Sequence, residues 1–226
     1  MKYRISPSLM GMDLLNVQKQ IDCLNDKAFQ YHIDILDWHF AKNLCFSPEF
    51  IRQLKTITDV PLEVHVMVEN MQMDIIEEVT GAGADIVTLH AREANRNIFK
   101  YIDYLKSNGC RLGIALDPGV PLSEMQCYIE EVDLINFMAV TPGFAGQKLI
   151  PGVLEKIRTA LRLREEKGYR YLTQIDGGFH PDTYKVVLET GVDVLIVGAT
   201  GLFKADRDLN AAWEKLEKAF DACTNG

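Results

Sequence analysis

A single (β/α)₈ barrel is the fold that this sequence predicts, and three observations predict it. Eight short apolar runs alternate with longer amphipathic stretches along the whole 226-residue chain. No early GxGxxG turn marks the open, doubly wound sheet that is the structural competitor. His and Asp residues fall at the ends of several runs, and side chains from many strands converge more readily in a closed barrel than in an open sheet.

The elements follow in order. The first strand, 3–9, passes through Ile5-Ser-Pro-Ser-Leu9 and precedes a helical pattern over 12–26. The second, 30–36, carries His32 and Asp34; the helix after it, 47–58, opens on Ser47-Pro48, an N-cap followed by proline at the first helical position. The third, 62–67, carries His65 and leads to a helix over 70–81. The fourth, 85–90, ends on His90 and precedes a helix over 95–107. The fifth, 111–116, is followed by a helix over 121–130 that Pro121-Leu-Ser-Glu would start. The sixth, 132–138, ends on Met138, and a helix over 151–167 follows. The seventh, 171–176, closes on Asp176, with His180-Pro181-Asp182 opening a helix over 180–190. The eighth, 193–197, runs into Gly198, and a helix over 206–222 ends the pattern. Gly81, Gly109, Gly168 and Gly191 stand where left-handed helix caps are expected.

Composition bounds the function. A chain that is 47% hydrophobic and shows no linker or low-complexity segment reads as one domain over 1–226. Its net charge of −8 and lack of a Lys/Arg block argue against a nucleic-acid partner. Five cysteines, an odd number without CxxC spacing, argue against a disulfide framework or zinc knuckle. There is no signal-peptide core and no membrane-length apolar run, so no membrane partner is expected and the cytoplasm is the expected compartment.

Four residues carry the chemistry. His32 and Asp34 are two apart and therefore share one face of their strand. His65 and Asp176 lie in two other apolar runs. Buried imidazoles and carboxylates are costly unless paired or metal-bound, and two His with two Asp can converge on one divalent cation. A structural hydrogen-bonded pair is the competing reading of His32 and Asp34. The ligand types suit Zn, Mn, Fe or Co alike. Three glycine-bearing loops follow the last three strands: Thr141–Gln147, Asp176–Phe179 and Gly198–Phe203. Loops after strands seven and eight often hold phosphate in such barrels, and Gly198–Phe203 could open a one-turn helix whose N–H groups face an anion.

Taken together, Ile5-Ser-Pro-Ser-Leu9, His32-x-Asp34, Asp37-x-His39-Phe40, His65-x-Met67-Val68, Pro142-Gly143-Phe144-x-Gly146-Gln147 and Asp176-Gly177-Gly178 resemble the ribulose-phosphate 3-epimerase family throughout the chain. The segment Gly198-x-Thr-Gly-Leu-Phe203 is similar to the D-allulose-6-phosphate 3-epimerase branch. The resemblance implies a metal-dependent isomerase that interconverts two ketose phosphates differing at C3, and a homo-oligomer. It implies His32, Asp34, His65 and Asp176 as ligands of one divalent metal ion, with Asp34 and Asp176 as the acid/base pair. It places Ser8 on a substrate hydroxyl, and Gly143, Gly146, Gly177, Gly178, Gly198 and Ala199 at the phosphate end. Met67 and Met138 project near the same strand ends, where apolar bulk would exclude water.

The chain departs from the family pattern at Trp38, where glycine is usual, at Lys42, where proline is usual, and at Asn136, Ala139 and Thr141. These changes leave the metal and acid/base set intact and bear on substrate identity. Two acids answer a chemical need: the proton next to the C2 carbonyl leaves from one face of C3 and returns on the other. The expected reaction converts D-allulose 6-phosphate to D-fructose 6-phosphate. D-ribulose 5-phosphate to D-xylulose 5-phosphate is the alternative reaction, and a non-catalytic sugar-phosphate-binding barrel the alternative of another class. Related decarboxylase and synthase barrels usually carry an Asp-x-Lys-x-x-Asp run; His32-Ile-Asp-Ile-Leu-Asp37 has no lysine. Asp37 and His39 are expected to brace their loop beside a ligand. Arg92, Arg96 and Lys148 read as solvated loop residues.

Overall fold

The computed structural model describes residues 2–224. Eight parallel strands form one sheet: β1 (Arg4–Pro7), β2 (Tyr31–Leu36), β3 (Leu62–Met67), β4 (Ile86–His90), β5 (Arg111–Leu116), β6 (Leu134–Met138), β7 (Leu172–Asp176) and β8 (Val194–Val197). From β2 to β8 each strand pairs with its sequence neighbour, and β1 pairs with β8. The remaining seam, between β1 and β2, is closed by a parallel bridge of Ser8 with His32 and a hydrogen bond from Phe29 N to Ile5 O at 2.9 Å. The result is a (β/α)₈ barrel, and all eight strands lie within the predicted runs.

The helices are α1 (Val17–Leu24), α2 (Pro48–Leu54), α3 (Met73–Gly81), α4 (Ala91–Ala94), α5 (Ile98–Ser107), α6 (Gly152–Lys167), α7 (Tyr184–Leu188) and α8 (Leu209–Thr224). Their apolar faces cover the outside of the barrel. Ile21, Leu24, Ile51 and Leu54 are fully or almost fully buried on α1 and α2, and Trp213, Leu216 and Phe220 are buried on α8.

Several helices differ from expectation, each for a reason visible in its hydrogen bonds. The pattern over 12–26 yields a helix only from Val17, because the Asp13 carboxylate accepts from Leu15 N at 3.0 Å and holds Asn16 Nδ2 at 2.6 Å. No α-helix forms over 121–130. Asn95 Nδ2 donates to the Glu124 carbonyl at 3.2 Å, and Tyr128 N turns instead to Met125 O, leaving two 3₁₀ turns at Leu122–Met125 and Ile129–Glu131. The helix expected over 180–190 is reduced to α7, because Thr183 Oγ1 accepts from His180 N at 3.0 Å and delays it. The helix expected over 95–107 is α5, with the single turn α4 before it. Gly109, Gly168 and Gly191 take positive φ as expected, whereas Gly81 stays helical and Gly83 carries the positive φ of that turn. Residues Ala199–Phe203 form a π-helical turn, closed by Lys204 N to Ala199 O at 2.8 Å.

Register positions the site. Across the β2–β3 pair, His32 stands beside Glu63 and Asp34 beside His65. Across β6–β7, Met138 stands beside Asp176. Period-two alternation sends these side chains to the barrel interior near the C-terminal end, the end at which barrel enzymes carry their active sites.

Candidate active site

His32 is completely buried. Its Nε2 lies 3.0 Å from Asp34 Oδ1 and 3.6 Å from Asp176 Oδ2. On its other side, Nδ1 contacts the fully buried Glu63 carboxylate. His65 Nδ1 lies 3.4 Å from Asp34 Oδ1 and 3.5 Å from Asp176 Oδ2. Its Nε2 meets His90 Nε2 at 2.9 Å, and the two rings stack with centroids 4.9 Å apart. His90 Nδ1 is 3.1 Å from Asp117 Oδ1. Ser8 Oγ donates to Asp34 Oδ2 at 3.2 Å.

Charge explains the protonation of this cluster. Burial alone would make both imidazoles harder to protonate. For His32, the carboxylates of Glu63, Asp34 and Asp176 outweigh burial and raise its pKa well above the ordinary value. For His65, the contacts with Asp176 and Asp34 win and the pKa rises to about 9. Burial would also push Asp34 up, but His32 and His65 hold it well below the usual carboxylate range. His90, with burial dominant, is shifted down.

The donor set fits a divalent cation. One ligand atom from each of His32, Asp34, His65 and Asp176 lies within 4.8 Å of the others. His65 Nδ1 is buried, faces the centre of that set and has no hydrogen-bond partner. Each imidazole turns its second nitrogen to a neighbour, Glu63 for His32 and His90 for His65, an arrangement that orients metal-binding histidines.

Above this floor lies a cavity of about 270 Å³. Its lining brings together Ser8, Asp34, Met67, Met138, Gly143, Gly146, Asp176, Gly177, Gly178, Gly198 and Ala199. His32 and His65 sit beneath the floor and do not line it. Gly178 is needed for close approach: a Cβ there would come within 2.7 Å of Leu149 Cα. Gly11 is likewise needed, because its Cβ would meet Ala199 N at 2.6 Å. The strand-six loop is pinned by Gln147 Nε2, which donates to Thr141 O and Phe144 O at 2.6 and 2.9 Å. Asn43 Nδ2 stitches it to the strand-two loop through Gly143 O at 2.9 Å.

Other expected residues fall elsewhere. Trp38 is 52% exposed and outside the lining. Arg92, Arg96 and Lys148 are also outside it. Asp37 braces its own loop, accepting from His39 N at 2.9 Å, Phe40 N at 2.6 Å and Glu69 N at 3.1 Å, while His39 is exposed and touches no member of the metal set. Sequence reasoning missed Glu63, Asp117 and His180. Glu63 had a signal: two residues before His65, it shares the inward face of its strand.

A closed parallel barrel with imidazoles and carboxylates gathered at the C-terminal ends of its strands, beneath a glycine-walled cavity, has the architecture of a barrel enzyme. The chain belongs to the ribulose-phosphate 3 epimerase family, whose pattern it matches over residues 4–203, and is therefore an isomerase of the carbohydrate epimerase type. It is 34% identical to ribulose-phosphate 3-epimerase of Bacillus subtilis over 90% of this chain and 94% of that protein. It is 34% identical to that of Treponema pallidum over 87% and 90%, and 30% identical to that of Escherichia coli K12 over 88% of each. Among solved structures it resembles 3-hexulose-6-phosphate synthase from Salmonella typhimurium, with a TM-score of 0.71, 16% identity and coverage of 97% of this chain and 99% of that one. A mutant tryptophan synthase α-subunit from Pyrococcus furiosus gives 0.66 at 11% identity, covering 98% and 97%. These two likenesses speak for the fold alone. Among the described residues, no helix is long and apolar enough to cross a membrane.

Proposed function

We propose that this chain epimerises a ketose phosphate at C3, with Asp34 and Asp176 exchanging the proton on opposite faces of the sugar. The observation that carries the reading is the placement of two carboxylates from β2 and β7, strands far apart in sequence, on one cavity floor. Asp34 stands on that floor as the proton acceptor for one face of C3. Ser8 fixes its orientation through Oδ2. Asp176 reaches the same cavity from β7 and would return a proton to the other face. His32, Asp34, His65 and Asp176 would hold one divalent ion, which supplies Lewis-acid stabilisation of the enediolate. Met67 and Met138 flank the floor and keep water from the carbanionic carbon. Backbone amides of Gly177, Gly178, Gly198 and Ala199 would receive the phosphate.

D-Ribulose 5-phosphate is the first substrate to test, because the relatives are named ribulose-phosphate 3-epimerases. D-Allulose 6-phosphate is the second, favoured by the segment Gly198–Phe203 and its π-helical turn beside the cavity. Metal-loaded protein in heavy water, given each sugar separately and followed by NMR, is expected to place deuterium at C3 of the substrate and its epimer. The faster sugar identifies the substrate. No exchange with either overturns the reading.

A further inference from the structure

A phosphate group bears nearly two negative charges, and this chain has a net charge of −8. Backbone amides supply only partial positive charge, so a side-chain cation in the cavity would matter. The cavity lining contains no Lys and no Arg. One lining side chain can carry positive charge, His180, on the turn after β7, beside Gly177, Gly178, Gly198 and Ala199. The two buried histidines of the floor are committed to Glu63, His90 and the aspartates.

His180 has a rigid base and a free head. Its backbone N donates to Thr183 Oγ1 at 3.0 Å, and its carbonyl accepts from Thr183 N at 2.8 Å and Tyr184 N at 3.1 Å. Two residues earlier, Gly178 abuts the Leu149 backbone, which keeps this turn against the strand-six loop. The imidazole itself is 31% exposed, and its ion-pair contact is loose: Nδ1 lies 3.7 Å from the carboxylate of Asp182, which is 94% exposed. The ring is therefore positioned at the glycine-walled end of the cavity without being spent on a structural bond.

The geometry points to His180 as the side-chain donor to the substrate phosphate, a binding and specificity-determining residue of the epimerase. The inference rests on the reaction proposed above. An imidazole offers an N–H to a phosphate oxygen in either protonation state and adds charge when protonated. It distinguishes a phosphorylated ketose from the free sugar, which the surrounding glycine amides do less strongly.

The test compares wild type with His180→Ala and His180→Lys. Three quantities are read: KM and kcat for the ketose phosphate turned over, the dissociation constant of inorganic phosphate by calorimetry, and the preference in kcat/KM for the phosphorylated over the unphosphorylated ketose. His180→Ala, which removes the donor, is expected to raise KM and the phosphate dissociation constant about tenfold, to lower that preference by a similar factor, and to spare kcat. His180→Lys, which keeps a cationic donor, is expected to recover most of the loss. An unchanged phosphate dissociation constant and KM in His180→Ala would overturn the inference and leave the epimerase reading intact. An equal loss on the unphosphorylated ketose would also overturn it, because His180 would then serve the sugar. If wild type turns over no ketose phosphate yet His180→Ala weakens phosphate binding, the reaction falls and the phosphate contact stands.

Discussion

Glu63 and His32 form a pair inside the barrel that solvent does not reach: the Glu63 carboxylate contacts His32 Nδ1, and both side chains are 0% exposed. A carboxylate can only accept, so the pair holds the Nδ1 proton and turns Nε2 toward Asp34 and Asp176. Gln174 Nε2 approaches the same carboxylate at 3.3 Å, and Gln30 Nε2 in turn donates to Gln174 Oε1 at 2.8 Å. The orientation of one proposed metal ligand is thus set from beneath the floor.

Removing that support should show in metal binding. Glu63→Ala is expected to weaken divalent-ion affinity about 10- to 100-fold. Competition with a chromophoric chelator measures this directly. Affinity equal to wild type would mean that His32 is oriented without Glu63.

Metal binding should expel protons. His32 and His65 are both raised, His65 to about 9, so in metal-free protein at neutral pH both carry a proton where a cation would bind. Coordination requires neutral imidazole, and roughly two protons should leave per ion bound. Apparent affinity therefore rises as pH increases toward the His65 value and falls toward acid. Calorimetry in buffers of different ionisation enthalpy counts the protons. A heat independent of buffer contradicts the expectation.

Each aspartate should be indispensable for a separate face of C3. Asp34→Asn and Asp176→Asn are each expected to cost about 10²–10⁴ in epimerisation rate. The informative measurement is solvent deuterium at C3 of recovered substrate. A variant that still washes deuterium into substrate while making no epimer retains the base on that face alone. Full epimerisation by either variant would remove that aspartate from the chemistry.

Lys156 tests the scaffold apart from the site. On α6, its ammonium donates to the carbonyls of Asp117, Pro118 and Val120 at 2.8, 2.9 and 2.7 Å, gathering the turn after β5. Lys156→Met leaves those carbonyls without this donor and should cost about 2 kcal/mol of stability. Thermal unfolding is expected to shift down by roughly 4–8 °C at this chain length. An unshifted midpoint would show that water replaces the ammonium at no cost.

The barrel was legible because its signal is local. Each strand is an apolar run whose burial follows from its own composition, as in Tyr31–Leu36 and Leu62–Met67, buried at every position. The helix that failed outright was decided at long range. The stretch over 121–130 lost its helix to Asn95, a partner 29 residues before Glu124. The gathering of His32, Asp34, His65 and Asp176 could be anticipated because costly residues stood inside apolar runs. Glu63 stood in the same kind of run and was passed over, since its partner lies across a strand pairing that only the fold supplies. His180 was concealed by a proline after it that suggested a helix start, while Thr183 made the segment a turn.

The seam between β1 and β2 is where the barrel is most lightly sewn, and both residues of its bridge, Ser8 and His32, reach Asp34 with their side chains. Whatever occupies the site therefore also fastens the cylinder. If a cation and a sugar bind there as proposed, part of their affinity holds the first and second staves together, so the emptied protein should be looser at its own closure.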